Sequence, residues 1–256
     1  MSNKQEREKR REQRLAAESQ VGSADRRQRM LQLGAGAVFL AIVVVVVLIV
    51  VNSSSDESGG NAEKMQEVGA VDSLLSGIPQ QKLTLGESKA PVELFEYGDL
   101  QYPIYKEYSE EILPQVIDNQ VKPGKASITF RNFIIIGPQS PPAGAAAIAA
   151  GEQGRGWNYL ELFYRNQGKE NSGYATDEFL EAVAKGAGVK DIKKWNEARK
   201  SADVTNQVQA TTEQATKFGF TGTPSFAIKG PSSNGIELLG TPGSPEAIEE
   251  KIEEVS

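Results

Sequence analysis

The sequence predicts an α/β domain that follows a single membrane-spanning helix. Residues 92–114 have the pattern of a buried strand running directly into a helix, and residues 126–136 are a β-branched and aromatic run of strand length. Roughly eighty residues of helical pattern then precede a final hairpin and helix. A strand, a helix and a second strand in this order imply a parallel pair joined by a right-handed crossover.

The beginning of the chain is basic. Residues 1–34 hold nine Lys and Arg against five acids, a net charge of +4, and because the whole chain carries −6 the remainder carries −10. Acids are interleaved with the basic residues and no aromatic residue accompanies them, a pattern that argues against nucleic acid as a partner. We interpret residues 1–29 as a cytoplasmic leader that sets membrane topology.

An uncharged stretch follows this leader. Residues 30–51 predict a transmembrane helix that contacts membrane lipid, because no charge occurs between Arg29 and Asp56 and the run is about the ~20 residues a bilayer core requires. Basic residues before the run and acids after it place the following domain outside the cytoplasm, in a single-pass cell-membrane protein. A cleaved signal peptide is the alternative, but no small-x-small site closes the apolar run.

Residues 52–80 have the composition of a flexible linker, with a short helical or extended lead-in from residue 71, and residues 81–256 form the predicted domain. Residues 81–85 predict a first edge strand and residues 86–91 a turn. Pro103 suits the first turn of the next helix, and Pro114 should kink or end it. The apolar stripe of that helix is Ile104, Tyr108, Ile112 and Leu113, with Glu107, Glu110 and Glu111 on another face.

The region between the second strand and the hairpin is mainly helical. Small helix formers fill residues 143–150, apolar residues recur at helical spacing in 157–166, and Thr176 begins a further helix. The glycines at 151, 154 and 156 follow a helix rather than a strand and predict a turn, not a phosphate site. Residues 225–229 and 236–239 predict a hairpin, and Ser244 with Pro245 begins a closing helix.

Several separated motifs resemble the DsbA-like thiol-disulfide oxidoreductases. The family has a buried acid in a strand, a Gly-Asp step and then Cys-Pro-x-Cys at a helix start; this chain has Glu96, Gly98-Asp99 and the run Tyr102, Pro103, Ile104, Tyr105. Residues 137–140, 151–154 and 164–167 resemble the family's insertion, and Thr223-Pro224 resembles its cis-proline loop. The resemblance covers about residues 81–256 and implies a thioredoxin-like fold with a helical insertion at about residues 138–217.

Both cysteines of the family motif are therefore tyrosines, and the chain contains no cysteine at all. Thiol-disulfide exchange requires a thiolate that attacks sulfur, which a phenol with a reference pKa of about 10 cannot replace. The chain also lacks histidine, which excludes nucleophile–histidine pairs and leaves little support for a metal site. We predict no catalytic residue and no cofactor.

The sequence leaves three functions open. The first is a redox-inactive binding or chaperone-like module that captures extended peptide or exported protein in a groove. The groove consists of Tyr102, Pro103, Ile104, Tyr105, Thr223 and Pro224. Glu96 is then a vestigial buried acid in a partly wet pocket, and Tyr97, Tyr102, Tyr105 and Tyr108 form an aromatic surface. The second is a disulfide-forming family member with altered cysteines, and the third is a structural subunit of a membrane complex.

Overall fold

A computed structural model describes residues 65–256. The predicted leader, the predicted transmembrane helix at 30–51 and residues 52–64 of the predicted linker lie outside the described residues. Within residues 65–256 no helix combines the length and the apolar character needed to cross a bilayer.

The described residues form one six-stranded mixed sheet with helices around it. The strands occur in the spatial order β1-β2-β4-β3-β5-β6. They are β1 (Gln80–Gln81), β2 (Thr84–Leu85), β3 (Val92–Gly98), β4 (Ala126–Asn132), β5 (Ser225–Lys229) and β6 (Glu237–Gly240). The helices are α1 (Val68–Leu75), α2 (Pro103–Glu107), α3 (Leu113–Val116), α4 (Ser140–Gly151), α5 (Gly156–Arg165), α6 (Asp177–Gly186), α7 (Ile192–Ala198), α8 (Ala202–Lys217) and α9 (Pro245–Val255).

The central strands confirm the predicted parallel pair. β3 and β4 run parallel, with Val92 opposite Ala126 and Gly98 opposite Asn132, and β5 lies antiparallel on the other side of β3. β3 lies in the interior of the sheet, between β4 and β5, and six of its seven residues are buried, Glu96 among them. The hairpin of β5 and β6 and the cap of α9 by the Ser244 hydroxyl are also as predicted.

The predicted first edge strand is instead a hairpin of two very short strands. Lys82 has a φ of 54°, which turns the chain between β1 and β2. The glycines predicted to form a turn explain how this hairpin packs: a Cβ at Gly151 would lie 2.8 Å from the Lys82 carbonyl, and a Cβ at Gly156 would overlap the same carbonyl. Glycine at both positions lets the two backbones approach closely.

Of the two outcomes predicted for Pro114, a kink in its helix or an end of it, the end is wrong. A π-helical turn, Tyr108–Ile112, joins α2 to α3, and a second, Ile117–Val121, follows α3, so one helical run passes through Pro114. The Leu113 N–H bonds the Tyr108 carbonyl five residues back, so the hydrogen-bond ladder has already shifted before the proline. The buried face also differs from the predicted stripe: Tyr105, which the stripe omits, is buried with Tyr108 and Leu113.

The core lies mainly on one face of the sheet. The large cluster includes Leu94, Ile128 and Phe226 from the sheet and Trp157 and Trp195 from the helices between β4 and β5. A second, smaller cluster packs on the opposite face around Phe95, Tyr97, Phe133, Ala215 and Ala227. The helices α4 to α8 thus supply much of the larger core, as expected for an insertion that folds with the sheet.

Candidate functional site

The register of β3 and β5 brings the two halves of the predicted site to one end of the sheet. Ser225, the first residue of β5, pairs with Tyr97, the second-last residue of β3. Pro224 immediately precedes Ser225, and its bond to Thr223 is cis. The Thr223–Pro224 bond therefore lies where β3 ends and where the turn toward Tyr102 and α2 begins.

Asp99 holds this turn together, although the sequence indicated it only as part of the Gly98-Asp99 step of the family motif. Its side chain is fully buried and accepts from the backbone N–H of Gln101 at 2.9 Å. The other carboxylate oxygen accepts from the N–H groups of Ile135 and Ile136 at 2.9 and 3.0 Å. One carboxylate thus fixes both the Tyr102 turn and the loop that follows β4.

Tyr102 is the N-cap residue of α2 and its side chain is half-buried. Its carbonyl accepts from the Tyr105 N–H at 3.1 Å and from the Gln167 side-chain amide at 3.2 Å. Partial burial, and secondarily the negative charge of Glu170, raise the pKa of its phenol. The phenol is therefore neutral at physiological pH and offers a flat, uncharged surface at the start of the helix.

Tyr105, by contrast, is a core residue. It is 1% exposed and its ring stacks on that of Tyr164, with centroids 4.2 Å apart and an interplanar angle of 12°. Tyr108 and Phe130 meet its ring edge-on at 5.4 and 6.2 Å. A Cβ at Gly98 would lie 2.5 Å from the Tyr105 ring, so the glycine next to the Asp99 turn makes room for it.

The predicted aromatic surface of four tyrosines is consequently wrong. Tyr97, Tyr105 and Tyr108 are each 3% exposed or less, and only Tyr102 reaches solvent. Tyr97 points to the opposite face of the sheet, where its hydroxyl donates to Gln214 at 2.7 Å. Burial raises the pKa of Tyr97 to about 12, against the lowering effect of Arg131.

Glu96 is buried beneath the same turn, and the expectation of a partly wet pocket is wrong. The side chain is 1% exposed, and the Tyr108 hydroxyl lies 3.4 Å from its Oε2 atom as the donor. Burial raises its pKa well above the usual range; the nearby Glu161 raises it further, and the Tyr108 hydroxyl lowers it. Burial at this position therefore favours the protonated form of the Glu96 carboxyl group.

Two residues beside Glu96 were missed by the sequence reading. Glu161 and Tyr164 of α5 are both buried; the negative charge of Glu161 raises the pKa of Glu96, and that of Glu96 raises the pKa of the Tyr164 phenol. The available signal was Arg165, which lies one helical turn after Glu161 and pairs with it at 3.6 Å. Among the described residues, no group of three or more acids is placed to hold a metal ion.

The proline loop is less accessible than a peptide groove requires. Thr223 is 2% exposed and Pro224 is also buried. The Thr223 hydroxyl has no hydrogen-bond partner among the described residues. Of the predicted groove residues, Tyr102 and Ile104 are half-buried and Pro103 is exposed, so these three carry the accessible surface.

Comparison with known proteins supports the resemblance to the DsbA-like family. A family model described as thioredoxin matches residues 79–254. A probable disulfide bond formation protein D of Bacillus cereus is 28% identical over 154 residues, which cover 59% of this chain and 71% of that protein. A protein of the same description from Bacillus anthracis is also 28% identical over 154 residues.

Solved structures show the same fold at lower identity. BdbD from Bacillus subtilis in its oxidised form aligns with a TM-score of 0.59 and 20% identity, over 69% of this chain and 96% of that one. The α-DsbA1 protein of Wolbachia pipientis aligns with a TM-score of 0.57 and 19% identity, over 68% and 89%. The family match, the strand order and the Tyr102 turn beside the Pro224 loop together show that the chain belongs to the DsbA-like thiol-disulfide oxidoreductase family, with tyrosines at both cysteine positions.

Proposed function

We propose that this protein is a redox-inactive member of its family that acts as a peptide- or protein-binding module. The observation that carries the proposal is the environment of Tyr102 and Tyr105, the two positions at which the family has cysteine. Tyr105 is sealed into the core by its stack on Tyr164, while Tyr102 remains at the surface. Neither phenol can form a mixed disulfide with a client protein.

The accessible part of the site is apolar. Tyr102, Pro103 and Ile104 at the start of α2, together with Ile135, form what we call the Tyr102 surface. Ile135 is 40% exposed, and its N–H bonds the same Asp99 carboxylate that fixes the turn before Tyr102. Tyrosine and aliphatic side chains on a rigid backbone suit protein contacts, because they bury large area at small entropic cost.

The module is anchored to the cell membrane by residues 30–51 and works outside the cytoplasm. The uncharged 30–51 stretch and its basic leader favour this topology. Relatives described as disulfide bond formation proteins suggest that the clients are exported polypeptides in extended or unfolded form. Because Thr223 and Pro224 are buried, contact falls on the Tyr102 surface rather than on the proline loop.

Substitution of Tyr102 by alanine tests this proposal. Binding of the full chain to an array of extended peptides from exported proteins is expected to weaken about tenfold, because a central aromatic contact is lost. Tyr105→Phe is the matched control, since that ring is buried and its binding should be unchanged. Peptide binding that is absent in the parent protein, or that Tyr102→Ala leaves intact, would contradict the proposal.

A further inference from the structure

Helix α1 lies before the family match and is fastened to α5. Its apolar side chains Val71 and Leu75 are buried in the main core. Polar contacts add to this packing: Asp72 pairs with Arg155 of the preceding turn at 3.2 Å, and Glu67 pairs with Arg165 at 2.6 Å. We call residues 65–75 the arm, since the described domain continues through it toward the N-terminal part of the chain.

Arg165 is shared between the arm and the interior. Its Nη1 atom lies 2.6 Å from Glu67, whose side chain is 49% exposed, and its Nη2 atom lies 3.6 Å from Glu161, whose side chain is 1% exposed. The guanidinium itself is largely buried, with 11% of the side chain exposed. One cation therefore serves two carboxylates, and the shorter contact is the one to the arm.

The interior surroundings of Glu161 limit how its charge can be balanced. The Ser109 hydroxyl, from the π turn after α2, donates to its Oε2 atom at 2.9 Å. The acids that face it are Glu110 of the same turn and Glu96 of β3, and the nearby phenols are Tyr108 and Tyr164. Arg165 is the only cation that pairs with Glu161 among the described residues.

The Arg165 guanidinium pairs both with Glu161 and with Glu67 of the arm, so the charge of Glu161 affects docking of the arm. When Glu161 is neutral, Arg165 is free to bond Glu67 fully; when Glu161 is charged, it attracts Arg165 inward and repels the Glu67 carboxylate. We propose that the arm is a pH-sensitive strap, held more tightly when Glu161 carries a proton than when it does not.

The direction of the pH dependence follows from linkage. Burial raises the pKa of Glu161 to about 7, although Arg165 and the Ser109 hydroxyl lower it. A carboxyl group whose pKa is higher in the folded protein stabilises the fold most at low pH and loses that contribution as pH rises toward the folded-state value. By reciprocity, the arm tightens as pH falls through about 7, and removal of Glu67 should lower the pKa of Glu161.

Hydrogen exchange of the arm measures this strap. The reporter is the Val71 amide, which donates to the Glu67 carbonyl at 3.0 Å. In the full chain in mild detergent, its protection factor is expected to fall about fivefold between about pH 6 and about pH 8. Protection factors remove the intrinsic pH dependence of exchange, so the remaining change reports on docking.

Three variants distinguish pH-dependent docking of the arm from a loss of arm contacts that does not depend on pH. Glu161→Gln should keep high protection at both pH values, and Glu67→Gln should give low protection without a step. Asp72→Asn is the matched control, because it removes the other ion pair of the arm: protection should fall at both pH values while the step persists. A parent protein without a step, or a step that survives Glu67→Gln, overturns the proposal. The Glu67→Gln measurement tests the strap even if the Glu161→Gln protein does not fold.

Discussion

Replacing Tyr105 with alanine is expected to lower the free energy of unfolding by about 4 kcal/mol. The ring is 1% exposed and packs against Tyr164, Tyr108 and Phe130, so the substitution removes a large buried side chain and leaves a cavity between α2, α5 and the sheet. Urea unfolding monitored by tryptophan fluorescence measures this change, since Trp157 and Trp195 are both buried in the same core.

Two other substitutions define what Tyr105 contributes. Its hydroxyl has no hydrogen-bond partner among the described residues, so Tyr105→Phe should be neutral or stabilise the protein by up to ~1 kcal/mol. Tyr102→Ala, at the half-buried family position, should cost only about 1 kcal/mol. Equal costs for the two alanine variants would show that Tyr105 is not the core residue described above.

Replacing Asp99 with alanine is expected to cost about 3 kcal/mol and to loosen the Tyr102 surface. The substitution leaves the N–H groups of Gln101, Ile135 and Ile136 without their shared acceptor. Buried donors without partners are costly, and the loss is larger when the missing acceptor was charged. Peptide binding should weaken together with stability, because the Tyr102 turn and the Ile135 loop lose their common anchor.

The amide variant Asp99→Asn keeps one acceptor oxygen and should lose roughly half as much stability. Asp118→Ala is the matched control: this aspartate is 57% exposed and pairs with Lys122 on the surface, so its loss should stay within about 0.5 kcal/mol. An Asp99→Ala protein that unfolds at the same urea concentration as the Asp118→Ala protein would contradict the role given to Asp99.

The sheet was predictable because its signals are local. The apolar run of β3, the β-branched run of β4 and the cap at Ser244 each depend on a few neighbouring residues, and all three form as expected. The first strand was only partly predicted, because the left-handed turn at Lys82 depends on contact with Gly151 and Gly156, more than sixty residues away in sequence.

The site was less predictable because burial overrides residue type. A tyrosine suits both a contact surface and a core, and only its packing against Tyr164 and Phe130, which are distant in sequence, shows that Tyr105 belongs to the core. Glu161 is one acid in a segment of apolar residues at helical spacing, and only the packing of α5 against α2 and the π turn after it encloses Glu161 near Glu96. The sequence indicated Asp99 only as part of the Gly-Asp step, whereas its contacts to Ile135 and Ile136 join the turn after β3 to the loop after β4.

The most direct test of the account is the redox activity of the purified full chain. It is incubated with a reduced client peptide that contains two cysteines, with oxidised glutathione as the oxidant, and disulfide formation is followed over time. Because the chain contains no cysteine and Tyr105 is enclosed in the core, we expect a rate equal to that of the protein-free reaction. Catalytic turnover above that rate would contradict the proposal that this member of the family does not carry out thiol-disulfide exchange.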